Sequence, residues 1–326
     1  MSGSGTINVL ALDGGGIRGI LAARILQSLA DKVGAPPHRI FHLIAGTSTG
    51  GIIAGAVGAA VRHGQPCRPE ELVDLYVREG PRIFARHWYT GVIQYVRPKY
   101  SPRGLEAVLA EFFGSARLAA ALTPLLIASY DLQAQRPFFF KSSRIAADPS
   151  YDWPLRQVAR ATSAAPTYFP PLLASQAGVA YAFVDGGVFA NNPAMAAYAE
   201  ARRLYPEAEA INLVSIGTGD RFDALSGRKA RKWGELQWAR QIVPVMMDSV
   251  SEGVDYELRE VLRPPLGGAF FRLQPPLTLA SPAMDDVTPV NLRNLQAEAD
   301  RYLKLNEPLL AQVAAALAGR HGAGRA

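Results

Sequence analysis

The chain has 326 residues, 49% of them hydrophobic and 19% charged, ample for a large buried core. Its formal charge of +6 is a modest, diffuse excess that suits an anionic lipid surface. With no nucleic-acid module in the chain, it argues against a nucleic-acid binder. Cys67 is the only cysteine, which excludes intramolecular disulfides and a Cys-based metal cluster.

Met1 to Leu12 lacks a basic n-region and a long apolar core, so no signal peptide is expected. The uncharged run Gly46 to Val61 is too short and too glycine-rich to span a bilayer. A cytoplasmic protein is the expectation, with a peripheral position at the inner membrane surface left open.

After a flexible lead-in, Ile7 to Leu12 reads as a strand, and Ile20, Leu21, Ile25, Leu26 and Leu29 recur at helical spacing. Ala35-Pro36-Pro37 breaks that pattern. Ile40 to Ala45, with His42 inside it, is the second strand, followed by a helix from Gly51 to about Arg62. Glu70 to Arg86 is amphipathic and is expected to be interrupted at Gly80-Pro81. Arg86 to Tyr100 is a basic, aromatic excursion. Leu105 to Phe113 is helical. Leu125 to Tyr130 and Pro137 to Phe140 form a hairpin. Leu155 to Ser163 is a helix, Val179 to Val184 a strand, Pro193 to Tyr205 a helix and Ile211 to Ile216 a strand. Arg221 to Trp233 is polar and expected to be a surface loop. Trp238 to Leu262 is a long helical region, and one or two helices fill Leu292 to Leu317. Strands alternating with helices predict a mostly parallel sheet covered on both faces. One domain is expected over 1–326: a core at 7–200, a strand and helices at 201–318, and a flexible tail at 319–326.

Two glycine-rich turns follow the first two strands. Gly46-Thr47-Ser48-Thr49-Gly50 fits G-x-S-x-G, in which a serine is exposed on a sharp strand-to-helix turn. Asp13-Gly14-Gly15-Gly16-Ile17-Arg18-Gly19 offers a run of backbone N–H groups ahead of a helix, a setting that suits a developing oxyanion. Together they predict acyl transfer with Ser48 as nucleophile.

A serine hydroxyl needs a base. Of the five histidines, only His321 has the chain order of an α/β-hydrolase triad, and it lies in the Gly/Arg-rich tail. The best-placed carboxylate is Asp185, which ends an apolar strand before Gly186-Gly187. Burial there would raise its basicity.

The three motifs together resemble the patatin-like phospholipases, lipid acyl hydrolases with a serine–aspartate dyad. Lys99-Tyr100-Ser101, Gly104-Leu105-Glu106, Ala159 to Pro166, Asn191-Asn192-Pro193 and Ser215 to Gly219 add to the likeness, in family order. The resemblance implies a three-layer α/β/α fold distinct from the α/β-hydrolase triad fold, with Ser48 as nucleophile and Asp185 as base. It also implies the N–H groups of Gly14, Gly15 and Gly16 as oxyanion hole, and Arg18 as the residue that orients their loop. The substrate it implies is a phospholipid or other acyl-ester lipid reached through transient contact with a membrane. No cofactor and no metal are needed.

Alternatives remain open. Gly14-x-Gly16-x-x-Gly19 fits a dinucleotide fingerprint, but the second strand ends without the acidic residue that would hold a ribose. The same elbow could serve an acyltransferase. Some bacterial relatives are anti-phage effectors switched on by a cyclic nucleotide, which leaves such an activator and a homo-oligomer as further options. Arg228, Lys229, Arg231 and Lys232 with Trp233 and Trp238 are expected to form a solvated loop leading into two core tryptophans; docking on an anionic bilayer is the rival reading. Met246 and Met247 read as core, and Asp285-Asp286 lacks the further oxygen ligands of a metal site.

Overall fold

Alternate residues of the first strand serve two different cores. Leu10 and Leu12 pack into one buried cluster, Val9 and Ala11 into another. A strand apolar on both faces must be covered on both, which is why the sheet lies between helical layers. The computed structural model describes residues 5–61, 64–85, 97–221, 227–263 and 267–318. Most of the basic, aromatic excursion (86–96), residues 222–226 of the polar loop and the tail lie outside them.

β1 (Thr6–Leu12) leads through a 3-10 turn into α1 (Gly19–Val33), α2 (Pro37–Ile40), β2 (Leu43–Thr47) and α3 (Thr49–Gly58). Next come α4 (Pro69–Ile83), α5 (Pro102–Phe113), β3 (Leu125–Asp131) and β4 (Arg136–Lys141). They are followed by α6 (Leu155–Thr162), β5 (Leu172–Gln176), β6 (Val179–Asp185), α7 (Gly187–Ala190) and α8 (Ala194–Leu204). β7 (Ala210–Ile216), β8 (Asp220–Arg221), α9 (Gly227–Ala230) and α10 (Glu235–Val261) lead to β9 (Gly268–Leu273) and β10 (Pro276–Leu277). α11 (Pro289–Leu305) and α12 (Glu307–Ala318) complete the described chain.

From β1 the sheet runs through β7 to β9 on one side and through β2 to β3 on the other, all parallel. Beyond β3 the pairing is antiparallel. β4 covers one edge of β3 from Leu126 to Asp131. The other edge is divided: β2 pairs with it as far as Thr47 opposite Ala128, and β6 takes over with Asp185 opposite Ser129. The carboxyl ends of β2 and β6 therefore abut, and Ser48 and Asp185 are the residues at the junction.

The cores follow from composition. α1 buries Ile20, Leu21, Ile25, Leu26 and Leu29 and stops at Gly34, whose φ of 73° permits a left-handed cap. α8 faces the second core with Ala194, Ala197 and Ala201, small enough to lie close to the sheet.

Several expectations need correction. Pro36 and Pro37 start α2, with Pro37 in its first turn. The second strand is thereby delayed from Ile40 to Leu43, and His42 precedes it. α3 begins two residues early, directly after the serine, and ends at Gly58. α4 runs unbroken through Gly80-Pro81. Pro81 falls in the last turn, two residues before the helix ends, so that it forgoes one helical N–H bond without breaking the helix mid-way, and Gly80 is buried where a Cβ would come within 2.8 Å of Ile17 Cδ1. The loop before Trp233 contains the helical turn α9. Four strands have no counterpart in the sequence reading, two of them the short pair β8 and β10. β5 is an edge strand of weak strand formers. β9 begins at Gly268, where a Cβ would sit 2.2 Å from Ile211 O.

Candidate active site

Ser48 adopts φ 55° and ψ −124°, a backbone conformation that a non-glycine residue holds only when its surroundings force it. The forcing is visible. A Cβ on Gly50 would lie 2.2 Å from Leu12 O, and one on Gly46 would lie 2.2 Å from Gly50 O, so the turn closes only with glycine at both positions. The Ser48 N–H donates to Thr162 Oγ1 (2.8 Å), and the Thr162 hydroxyl donates to Ala128 O (2.6 Å). The Ser48 carbonyl accepts from the N–H groups of Gly51 and Ile52. The positive end of α3 thus starts at the serine.

Asp185 is 4% exposed. Its N–H donates to Ala164 O (3.0 Å), and its Oδ1 accepts from the Gly187 N–H (2.7 Å). Burial pushes the carboxyl up to about 7, while bonding with the Ser48 hydroxyl and the Gly187 N–H pulls in the opposite direction. A Cβ on Gly186 would lie 2.5 Å from Ala128 O, so the turn after the aspartate is pressed against β3.

The first glycine turn lies beside them, with a Cβ on Gly14 reaching within 3.2 Å of Ser48 Cβ. Its three amides are not equivalent. The Gly14 N–H donates to Asn191 O (3.0 Å), which removes it from the expected set of oxyanion donors. The Gly15 and Gly16 N–H groups have no partner among the described residues. Both are aimed from behind. Across a planar peptide the C=O and the following N–H point in opposite directions. The Thr218 hydroxyl donates to Gly14 O (2.7 Å), which fixes the Gly15 N–H. Arg18 donates from its N–H (3.2 Å) and Nε (3.4 Å) to Gly15 O, which fixes the Gly16 N–H, and its Nη1 reaches Gly219 O (3.3 Å). Met284 O accepts from the Ile17 N–H (2.9 Å). Gly19, the last glycine of the motif, packs where a Cβ would lie 2.3 Å from Thr49 Oγ1.

Behind this loop, Asp13 is buried and paired with Arg272 on β9 (2.6 Å). Burial raises its carboxyl against the opposing pull of Arg272. Arg272 also donates to Ser215 Oγ (2.8 Å). The pair ties the end of β1 to the neighbouring strands.

A cavity of about 560 Å³ opens over Ser48, Asp185, Gly15 and Gly16. Its wall is largely apolar, from Ile52, Ile83, Phe84, Leu105, Phe169 and Met284. Such a volume and lining suit a small apolar ligand or a lipid chain. Arg160 holds the 163–170 wall in place, donating to Glu106 Oε1 (3.0 Å) and Pro170 O (2.8 Å). On the other side, Asp285 accepts from Lys99 Nζ and from the Tyr100 hydroxyl (2.5 Å), pinning the 282–285 wall. Asp286 instead accepts from the N–H and hydroxyl of Thr288 at the start of α11. The two aspartates therefore do different structural work.

His38 and His42 sit at the amino end of β2, opposite to the serine. His63, His87 and His321 lie outside the described residues. Sequence reasoning assigned no role to Thr162, Asn191 or Thr218, although each stands in a motif quoted for the resemblance. Arg272 had no signal at all, because its strand was not predicted.

The sequence matches the family described as Patatin-like phospholipase over residues 10–198. "Patatin group J-1" of Solanum tuberosum is 32% identical over 328 aligned residues, covering 91% of this chain and 84% of that protein. "Patatin-12" of the same plant has the same identity and coverage. Among solved structures, VipD from Legionella pneumophila aligns with a TM-score of 0.38 and 12% identity, over 91% of this chain and 67% of that one. The identity to the potato proteins extends well beyond the motif-bearing half, and on that footing this chain belongs to the patatin-like phospholipase family.

Proposed function

We propose that the protein hydrolyses fatty acyl esters of membrane phospholipids by a Ser48–Asp185 dyad through an acyl-enzyme. Membership in a phospholipase family supports lipid acyl hydrolysis as the reaction class. The observation that carries the finer reading is the junction of β2 and β6, which puts a strained serine beside a buried aspartate under an apolar cavity. Asp185 accepts the Ser48 proton as the hydroxyl oxygen attacks the ester carbonyl. The Gly15 and Gly16 N–H groups hold the oxyanion. The proton passes from Asp185 to the leaving alcohol, here a lysophospholipid. Water then attacks the acyl-enzyme with Asp185 again as base, which releases the fatty acid and restores the serine. A carboxylate whose affinity for protons is raised to near neutrality suits both directions of transfer.

Incubation with mixed phospholipids followed by mass analysis tests this. Fatty acid and lysolipid are expected in equal amounts, with covalent labelling of Ser48 by a fluorophosphonate. Absence of both products and of the label would sink the reading.

Thr218 is a positioning residue in this scheme. Thr218→Val should lower kcat about 10-fold with KM nearly unchanged, because one oxyanion amide loses its anchor without any loss of substrate contacts. Thr218→Ser should restore the rate. An equal loss in both variants, or a change confined to KM, would show that the hydroxyl does not act through Gly14 O.

A further inference from the structure

α10 presents an apolar stripe to solvent. Trp238 is 41% exposed, Ile242 40% and Met246 52%. They are spaced four residues apart, so they fall on one side of the helix. Trp233 is half-buried and packs its ring edge to face with Trp238 (5.3 Å, 84°). The expected pair of core tryptophans is therefore a partly exposed aromatic pair. The stripe continues into the cavity rim: Met247 and Asp248 line the cavity, as does Val188, which is 37% exposed.

Charge accompanies the stripe. Between Gly227 and Met247 the sequence has Arg228, Lys229, Arg231, Lys232 and Arg240 against the single acidic residue Glu235. Arg228, Arg231 and Lys232 are exposed. No helix of the described residues is long and apolar enough to cross a membrane.

We propose that this surface, formed by Trp238, Ile242, Met246, Arg228, Arg231 and Lys232, docks the protein on an anionic bilayer with the cavity rim facing the lipid. An indole pair and apolar side chains, with cationic groups close by in the sequence, match the layering of a membrane interface, where aromatic rings sit at headgroup level and cations meet anionic lipid. A second copy of the chain fits less well. A two-fold contact would set the same cationic patch against itself. The docking orientation rests on the phospholipase reading, since it assumes that the cavity draws its substrate from the bilayer.

The test uses Ser48→Ala protein, so that the vesicles survive, and flotation with phosphatidylglycerol or phosphatidylcholine vesicles at low and high salt. Binding is expected to phosphatidylglycerol, weakening as salt rises. Trp238→Asp with Ile242→Asp should lower the bound fraction at least 10-fold. So should Arg228→Glu, Arg231→Glu and Lys232→Glu together. In the Ser48 background, neither set should change hydrolysis of a soluble short-chain ester more than about twofold, and thermal melts check the fold independently of catalysis. Lack of binding by the parent protein, or undiminished binding by both variant sets, overturns the proposal. So does a concentration-dependent dimer abolished by Trp238→Asp, which would make the stripe a subunit contact. Binding without hydrolysis by the Ser48 form would instead count against the dyad and leave the docking surface standing.

Discussion

Ser48→Ala is expected to lower fatty acyl ester hydrolysis by about 10⁴-fold or more, the scale on which a serine nucleophile and its base act as a unit. The loss should appear in kcat. Ser48 is one small side chain of a cavity whose wall is otherwise intact in the variant, so substrate should still bind. Adding Asp185→Asn to Ser48→Ala should cost little more than the first change alone, since a base without a nucleophile has no proton to take. Release of fatty acid from a defined phospholipid measures both. Full activity in Ser48→Ala would remove the serine from the chemistry.

Asp185→Asn alone should lower turnover about 10³- to 10⁴-fold, and its pH behaviour makes the test specific. As the proposed base, Asp185 must be ionised to act, and burial lifts its titration to about 7. kcat/KM should therefore fall about 10-fold per pH unit below that value and level off above it. Stability runs the other way. A carboxyl with a raised folded-state pKa favours the folded protein while protonated, and that contribution is lost as pH rises from the ordinary aspartate value of 3.8 through about 7. The asparagine variant escapes the loss. Its stability advantage over the native protein should be near zero at pH 4 and grow to a few kcal/mol by pH 8, at about 1.4 kcal/mol for each tenfold gain in proton affinity on folding. Denaturant unfolding at both pH values checks this; an advantage independent of pH would mean that the buried charge is not its source.

The elements that carry the candidate site were legible in the sequence because local constraints wrote them there. The Ser48 turn can close only with glycine at positions 46 and 50, and those glycines form the pattern that revealed it. Asp185 could be picked as the carboxylate that ends an apolar strand. The glycine run at 14–16 reads as a candidate anion loop, but equal residues conceal unequal amides: nothing local reveals that Asn191 O has engaged the Gly14 N–H. Arg272 is 259 residues from Asp13, on a strand whose opening glycine hides its character, so that buried pair was beyond local reading. Gly80-Pro81 misled in the opposite sense. A dipeptide that ends most helices is accommodated at the last turn of α4, where the glycine makes room for Ile17.

The division of one strand's edge between β2 and β6 has an evolutionary corollary. The proposed nucleophile and base are spaced by main-chain ladders at consecutive residues, Ala128 and Ser129, whereas much of the cavity wall comes from α4, α5, the 163–169 segment and residues 282–284. Bulk can drift at Ile83, Leu105 or Met284, retuning which acyl lengths are accepted, while the reacting pair keeps its spacing. Descendants of such a scaffold can diversify in diet without relearning the reaction.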